Sequence, residues 1–160
     1  VGPMPADPMH IVMVEPEIPA NTGNIARTCA VTGAVLHLVR PLGFSTEDKY
    51  LKRAGLDYWH LVEVLYHDSF QAVLDRYSGR SFYLATTRAR RHYTEMRYAP
   101  GSFLVFGKET RGLPPEILDL FPENQIRVPM AAAARSLNLA NSVAVILFEA
   151  LRQQGFPGLR

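Results

Sequence analysis

The stretch Phe103-Leu104-Val105-Phe106-Gly107-Lys108-Glu109-Thr110-Arg111-Gly112-Leu113-Pro114-Pro115 decides how the chain is read. Its first four residues form a β-rich apolar run. A glycine follows at once, where a missing Cβ lets a ligand approach the backbone closely, although a plain turn reads the same way. Pro114 and Pro115 then stand where a helix can begin, since a missing N–H costs nothing in a first turn. Strand, glycine loop and helix start make up one βα step.

The same step recurs on either side of it. His10 to Val14 reads as a buried strand ended by Pro16 and Pro19. Asn21-Thr22-Gly23-Asn24 opens a helix that stops near Gly33, where glycine suits a left-handed C-cap. Val35 to Val39 is a second strand. Ser45 and Asp48 have capping-box-like spacing before a short basic helix ending at Gly55. His60 to Tyr66 is read as a strand, and Asp68 or Ser69 caps a helix running through Tyr77 and closed by Gly79. Phe82 to Thr86 and Gln125 to Val128 are further strands, and a long helix runs from about Leu137 to Gln154. Strands alternating with helices predict an α/β fold with a mostly parallel sheet flanked by helices. Ligands of such sheets bind beyond the carboxyl ends of the strands. The loops after Thr86, Phe106 and Val128 are therefore the places to search.

Composition narrows the function classes. With 160 residues, 48% hydrophobic and 20% charged, the chain has an ordinary globular balance, which excludes a disordered protein and predicts one domain. That domain is expected over residues 9–160, after a proline-rich extension at residues 1–8, either native or left over from cloning. The longest apolar run, Val143 to Phe148, is too short to cross a bilayer, so no membrane partner is expected. Val1 to Pro8 lacks the features of a secretory signal, and the expected compartment is the cytoplasm. Cys29 is alone and lies among apolar helix residues, as a buried structural thiol would. The net charge of +2 means that any nucleic-acid surface must be a local patch.

Several chemistries fail on their motifs. There is no G-x-G-x-x-G and no G-x-S-x-G. Gly107 and Gly112 have phosphate-loop spacing, but Leu113 and Pro114 follow where Lys and Ser/Thr are required. The five histidines are scattered without metal-ligand spacing, and no metal is expected. Three segments are polar or glycine-rich where a generic fold does not need it: Asn21 to Arg27, Phe106 to Pro114, and Arg135 to Asn141. Each could equally be a cap, a turn or a surface charge. Arg76, Arg80, Arg88, Arg90, Arg91 and Arg97, with His92 and Tyr93 interleaved, form a basic cluster. Lys49, Lys52 and Arg53 form a second. Either could be a solvated face, but arginines with aromatics also suit phosphates and unstacked RNA bases.

Taken together, the segments resemble the SPOUT class of RNA methyltransferases over essentially the whole chain from Met9. Glu15 to Asn24, Arg53-Ala54-Gly55-Leu56-Asp57-Tyr58 and Phe106 to Pro114 are similar to the minimal members that methylate the ribose 2′-hydroxyl of the wobble nucleotide, cytidine or uridine 34, of tRNA. The resemblance implies a C-terminal trefoil knot, an S-adenosylmethionine site within it, a homodimer, and the tRNA anticodon stem-loop as partner. It implies a cofactor pocket built from Ala85, Thr86, Gly107, Glu109, Val128, Met130, Ser136 and Leu137. It places Arg27 at the reacting ribose with Ser136 and Asn138 as polar companions. Arg88, Arg90, Arg91 and Arg97 are expected to dock RNA. Two departures stand out: Ala131 to Ala134, where relatives often carry polar residues, and Ala140, where serine is common. A guanidinium with a pKa above ~12 rarely yields its proton, so orienting the ribose and offsetting alkoxide charge suit Arg27 better than acting as a base. A non-catalytic RNA-binding or assembly factor on the same fold is the alternative. A nucleotide hydrolase is disfavoured by the failed phosphate loop.

Overall fold

The first strand, β1 (His10–Val14), is buried at every position, so it must lie inside a sheet covered on both faces. A computed structural model describing residues 7–45, 47, 49, 51, 53 and 58–160 places it there. The further strands are β2 (Val35–Val39), β3 (Val64–His67), β4 (Phe82–Ala85), β5 (Arg91–His92), β6 (Phe103–Phe106) and β7 (Gln125–Arg127). Among the described residues they form one sheet in the order β3-β2-β1-β6-β4-β7-β5. Each pairing is parallel. The strand order turns back between β1 and β6, which makes a crevice at their carboxyl ends.

The helices are α1 (Pro19–Thr32), α2 (Phe70–Arg76), α3 (Pro115–Leu118) and α4 (Leu139–Gln153). Successive strand residues point to opposite faces, and both faces are apolar here. Ile11, Met13, Leu36, Leu38 and Leu104 pack on one side with Ile25, Ala26 and Cys29 of α1 and Val143, Ile146 and Leu147 of α4. Val12, Val14, Phe103 and Val105 pack on the other with Phe70 and Val73 of α2 and Ile117 and Leu118 of α3. Truncating a fully buried leucine such as Leu147 to alanine in such a layer costs about 2–5 kcal/mol. No helix among the described residues is long and apolar enough to cross a membrane.

The strands at His10, Val35 and Phe103 begin where the sequence places them, and Gly33 caps α1 at φ 78°. Other expectations are corrected. Helix α1 begins at Pro19, which takes the first helical position instead of ending the strand, so Asn21 to Gly23 are buried helix residues. The third strand is shorter and later than His60 to Tyr66; Tyr58 and Trp59 are helical and His60 to Val62 turn. Arg91 and His92 form an edge strand that the sequence reading leaves in a loop. Of the expected basic helix, Asp48, Lys52 and Gly55 lie outside the described residues. Cys29 is fully buried, and desolvation pushes its thiol pKa up, so it is a packing residue.

Three of the scattered histidines meet inside the sheet. His37 pairs in register with Val12, and His67 with Val39, so His10, His37 and His67 lie on a diagonal across three strands. His10 Nδ1 is 2.8 Å from His37 Nε2, and His37 Nδ1 is 2.9 Å from His67 Nε2. The ring of His10 stacks on Phe103 at 4.1 Å, and Tyr77 meets His37 edge-on. One proton in each N···N gap satisfies the chain with all three rings neutral. Burial depresses the pKa of His10 to about 4, helped by the charge of Arg80 and opposed by that of Asp7. Burial depresses that of His37 to about 3, with His10, His67 and Arg76 adding to it. His67 moves the same way, through burial first and then Arg76 and Arg40.

These histidines bind protons more readily when unfolded, where their pKa is about 6.5, than when folded. Their contribution to stability is complete above that value and is lost as pH falls toward about 4. Urea midpoints should therefore drop steeply between those limits, reflecting a loss of about 1.4 kcal/mol of unfolding free energy per pH unit for each histidine involved. The His37→Leu variant should show a flatter profile. Midpoints independent of pH in the parent protein would refute the buried neutral chain.

Candidate active site

Strands β4, β6 and β7 are parallel neighbours, so the segments that follow them emerge together at one edge of the sheet. Residues 85–88, 106–113 and 126–130 leave from those strand ends, and residues 135–139 bring in the start of α4. Between them lies a cavity of about 570 Å³, within the range of ~300–1,000 Å³ usual for small-molecule sites. Ala85, Thr86, Gly107, Glu109, Val128 and Met130 all line it, and so do Ser136, Leu137 and Asn138. Ile18 and Asn21 complete the wall from the start of α1, across the crevice between β1 and β6.

The reason for glycine at position 107 differs from the expected one. A Cβ there would lie 2.0 Å from the carbonyl carbon of Gly112 and 2.2 Å from the nitrogen of Leu113. The close neighbour is the chain's own returning backbone, not the space kept for a ligand. Gly112 closes this loop by donating its N–H to Lys108 O at 2.8 Å, with φ at 67°.

Glu109 is tied to another element. The N-cap of α1, Ile18, offers no side-chain acceptor. Glu109 instead holds the segment that enters the helix: its carboxylate accepts from the backbone N–H groups of Glu17 and Ile18, each at 2.8 Å, and from Asn21 Nδ2 at 3.2 Å. Glu17 answers in the reverse direction, accepting from Thr110 N at 3.1 Å and Thr110 Oγ1 at 2.8 Å. Those hydrogen bonds hold the Glu17 carboxyl below the usual carboxylate range. Asn138 then donates from Nδ2 to Asn21 Oδ1 at 3.2 Å, while its own oxygen caps α4 through Asn141 N. One polar chain thus joins the β6 loop, α1 and α4. Signals for it were present in the sequence as acids, amides and a threonine, but the partners are 88 to 117 residues apart.

Arg27 lies apart from the cavity and is not among the residues lining it. It follows Asn21 by six positions, about 240° around the helix, and it is exposed. Its guanidinium lies over the ring of Tyr58, 4.6 Å from the centroid, and Nη2 donates to the Tyr58 hydroxyl at 3.3 Å. The expected basic cluster also divides. Arg88 lines the cavity, and Arg90, Arg91 and Arg97 are exposed beside it in sequence. Arg80 instead serves the fold, donating to Gly101 O at 2.7 Å beside Phe103 at the opposite end of β6. Arg76 sits against Tyr77 near the histidine chain. Among the described residues no group of three or more His, Cys, Asp or Glu is placed to hold a metal ion.

Two substitutions follow from this geometry. Gly107→Val should lower thermal stability and ligand binding together, because the β6 loop must move; lost binding with an unchanged melting temperature would restore the simpler pocket-crowding account. Glu109→Ala should cost about 1.5–3 kcal/mol in chemical denaturation, the magnitude of lost hydrogen bonds to a charged group. An unchanged midpoint would show that α1 does not depend on this carboxylate.

The family model for the SpoU rRNA methylase family matches residues 8–148. A tRNA (cytidine(34)-2′-O)-methyltransferase of Polaromonas sp. is 56% identical over 153 residues, covering 93% of each chain. The Escherichia coli K12 protein of the same name is 47% identical over 151 residues, covering 94% of this chain and 96% of that one. A solved structure described as giving insights into the 2-OH methylation of C/U34 on tRNA superposes with a TM-score of 0.89 at 45% identity, covering 93% and 97% of the two chains. The SpoU methyltransferase AviRb of Streptomyces viridochromogenes, solved with AdoMet, superposes with a TM-score of 0.81 at 25% identity, over 99% of this chain and 61% of that one. With the match running through every strand and through the loops that line the cavity, this chain belongs to the SpoU methylase family.

Proposed function

We propose that this protein transfers a methyl group from S-adenosylmethionine to the ribose 2′-hydroxyl of nucleotide 34, the wobble position of tRNA, with the cavity at the strand ends as the cofactor site. The observation that carries this reading is end-to-end identity of 47–56% with proteins named for that reaction. The cavity fits such a cofactor. It has the volume for a nucleoside bearing an amino-acid chain, an apolar wall from Leu113, Ile126 and Leu139, and a polar wall from Thr86, Ser136 and Asn138. The expected compartment is the cytoplasm, where tRNA is found.

S-adenosylmethionine supplies an already activated methyl group, so most of the acceleration comes from placing the 2′-oxygen in line with it. The chain's own residues do the placing. Ser136 and Asn138 stand at the cavity mouth, and Asn138 is held by Asn21. Arg27 orients the ribose and offsets charge developing on its oxygen. The buried histidines lie inside the sheet and do not line this cavity, so they are not its base.

Arg27 faces away from its own cavity, and that supports a homodimer in which it serves the cavity of the second copy. Val31, one turn further along α1, is 52% exposed, and Val145 and Phe148 of α4 are 37% and 42% exposed. Both helices cover the same face of the sheet, so these residues share one side of the molecule. Other apolar residues of α4, Val143, Ile146, Leu147 and Leu151, are buried in the chain's own core. We also take the C-terminal segment to be threaded as the family's trefoil knot. The returning backbone at Gly112 and Leu113, packed directly on Gly107, supports a tight passage there.

The reading makes four measurable commitments. Nuclease digestion with mass spectrometry should place the methyl on the ribose of nucleotide 34; a methylated base or another nucleotide would refute it. Arg27→Ala should lower the single-turnover rate sharply with cofactor affinity nearly unchanged. Mixing Arg27→Ala with Gly107→Val chains should restore part of the activity, whereas an inactive mixture would place Arg27 in its own subunit's site. Replacing Arg90 and Arg91 with alanine should weaken tRNA binding and reduce its salt dependence by about one phosphate contact per arginine.

A further inference from the structure

The charge around the cavity is lopsided. Among the described residues it is lined by Arg88, Lys108, Arg111, Arg127 and Arg135 and by one carboxylate, Glu109. Glu15 pairs with Lys108 at 3.5 Å, and Glu17 lies close enough to Lys108 and Arg111 to feel both. Counting both of these acids still leaves five positive charges against three negative. None of the four arginines makes an ion pair within the described residues, and Arg88, Arg111 and Arg135 are exposed. The whole chain carries only +2, so this surplus is local.

A cationic cavity is an awkward host for the ligand assigned to it. In methyl transfer the sulfonium C–S bond breaks with its electron pair left on sulfur, a C–O bond forms, and the hydroxyl proton departs. The donor thus enters with a net charge of one positive unit, from sulfonium, ammonium and carboxylate, and leaves as a neutral thioether zwitterion. The protein's field therefore disfavours the donor relative to the product. RNA phosphates are the natural counter-charge, since lysines and arginines that neutralise phosphates release condensed ions and bind them regardless of sequence.

Resting on the function proposed above, we propose that the RNA is an electrostatic co-ligand of the methyl donor. The free protein prefers the neutral thioether product, and phosphates docking on Arg88, Arg111 and Arg135 reverse that preference. Linkage makes the effect reciprocal: the donor tightens RNA binding by the same factor by which RNA tightens donor binding. The cavity is then charged for catalysis only when its substrate is present.

Calorimetric titration of the full chain with S-adenosylmethionine and with S-adenosylhomocysteine tests this, using an anticodon stem-loop with a 2′-deoxy nucleotide 34 to prevent turnover. Raising salt screens the surplus, so donor affinity of the free protein should rise while product affinity stays flat. The stem-loop should tighten donor binding about fivefold or more, the lower end of usual coupling factors, and product binding much less. The double variant Arg111→Gln with Arg135→Gln should bind the donor more tightly than the parent does without RNA, and respond less to RNA. Both ligands binding with affinities indifferent to salt and RNA would overturn the proposal and leave the cofactor site standing. Neither ligand binding at all would bring down the cofactor site, and this proposal with it.

Discussion

Just before α1 begins at Pro19, the backbone N–H groups of Glu17 and Ile18 are held by the carboxylate of Glu109, from a loop some 90 residues away. A carboxylate beside a helix N-terminus is favoured by the helix dipole. Here it also ties two elements together. It fixes the β6 loop to α1, and Glu17 returns the bond to Thr110 of the same loop. The floor of the cavity and the helix that carries Arg27 become one body. Because Asn21 also receives Asn138, the start of α4 is drawn into it. The loop could not lie this close to its own returning backbone without Gly107, where a side chain would strike the backbone of Gly112.

Polar groups are distributed in two contrasting ways. At the carboxyl end of the sheet, charges surround an open cavity, where solvent and ligands can answer them. Inside the sheet, three imidazoles answer one another and remain neutral, with Phe103 and Tyr77 closing them off. Burying an ionised group costs far more than burying a hydrogen-bonded neutral one. That difference explains why the fold tolerates a histidine chain in its centre but gathers its arginines at the rim.

Much was legible from the chain alone. Strand runs such as Phe103 to Phe106, the glycine stop at Gly33 and the cap at Ser69 are local signals, and local sterics and hydrogen bonding decide them. The three loops that line the cavity were also legible, because parallel strands must end on one edge. What failed were the weak local signals. Pro19 reads as a terminator or as a first helical residue with equal ease, and Arg91-His92 is a strand only because β7 lies beside it. The long helix α4 was legible too, but not what its apolar residues pack against.

By itself, then, the sequence determined the alternation of strands and helices, the parallel sheet and the edge where the cavity lies, since each follows from short-range periodicity and chain connectivity. Tertiary structure alone decided which distant groups became neighbours. It made one hydrogen-bonded line of His10, His37 and His67, tied Glu109 to the segment that enters α1, and set Gly107 against the chain's own backbone. It also left Arg27 exposed and outside the residues that line the cavity. These depend on register, crossover and helix rotation, which place side chains tens of residues apart within about 3 Å of each other, the reach of a hydrogen bond, and no local pattern encodes that distance.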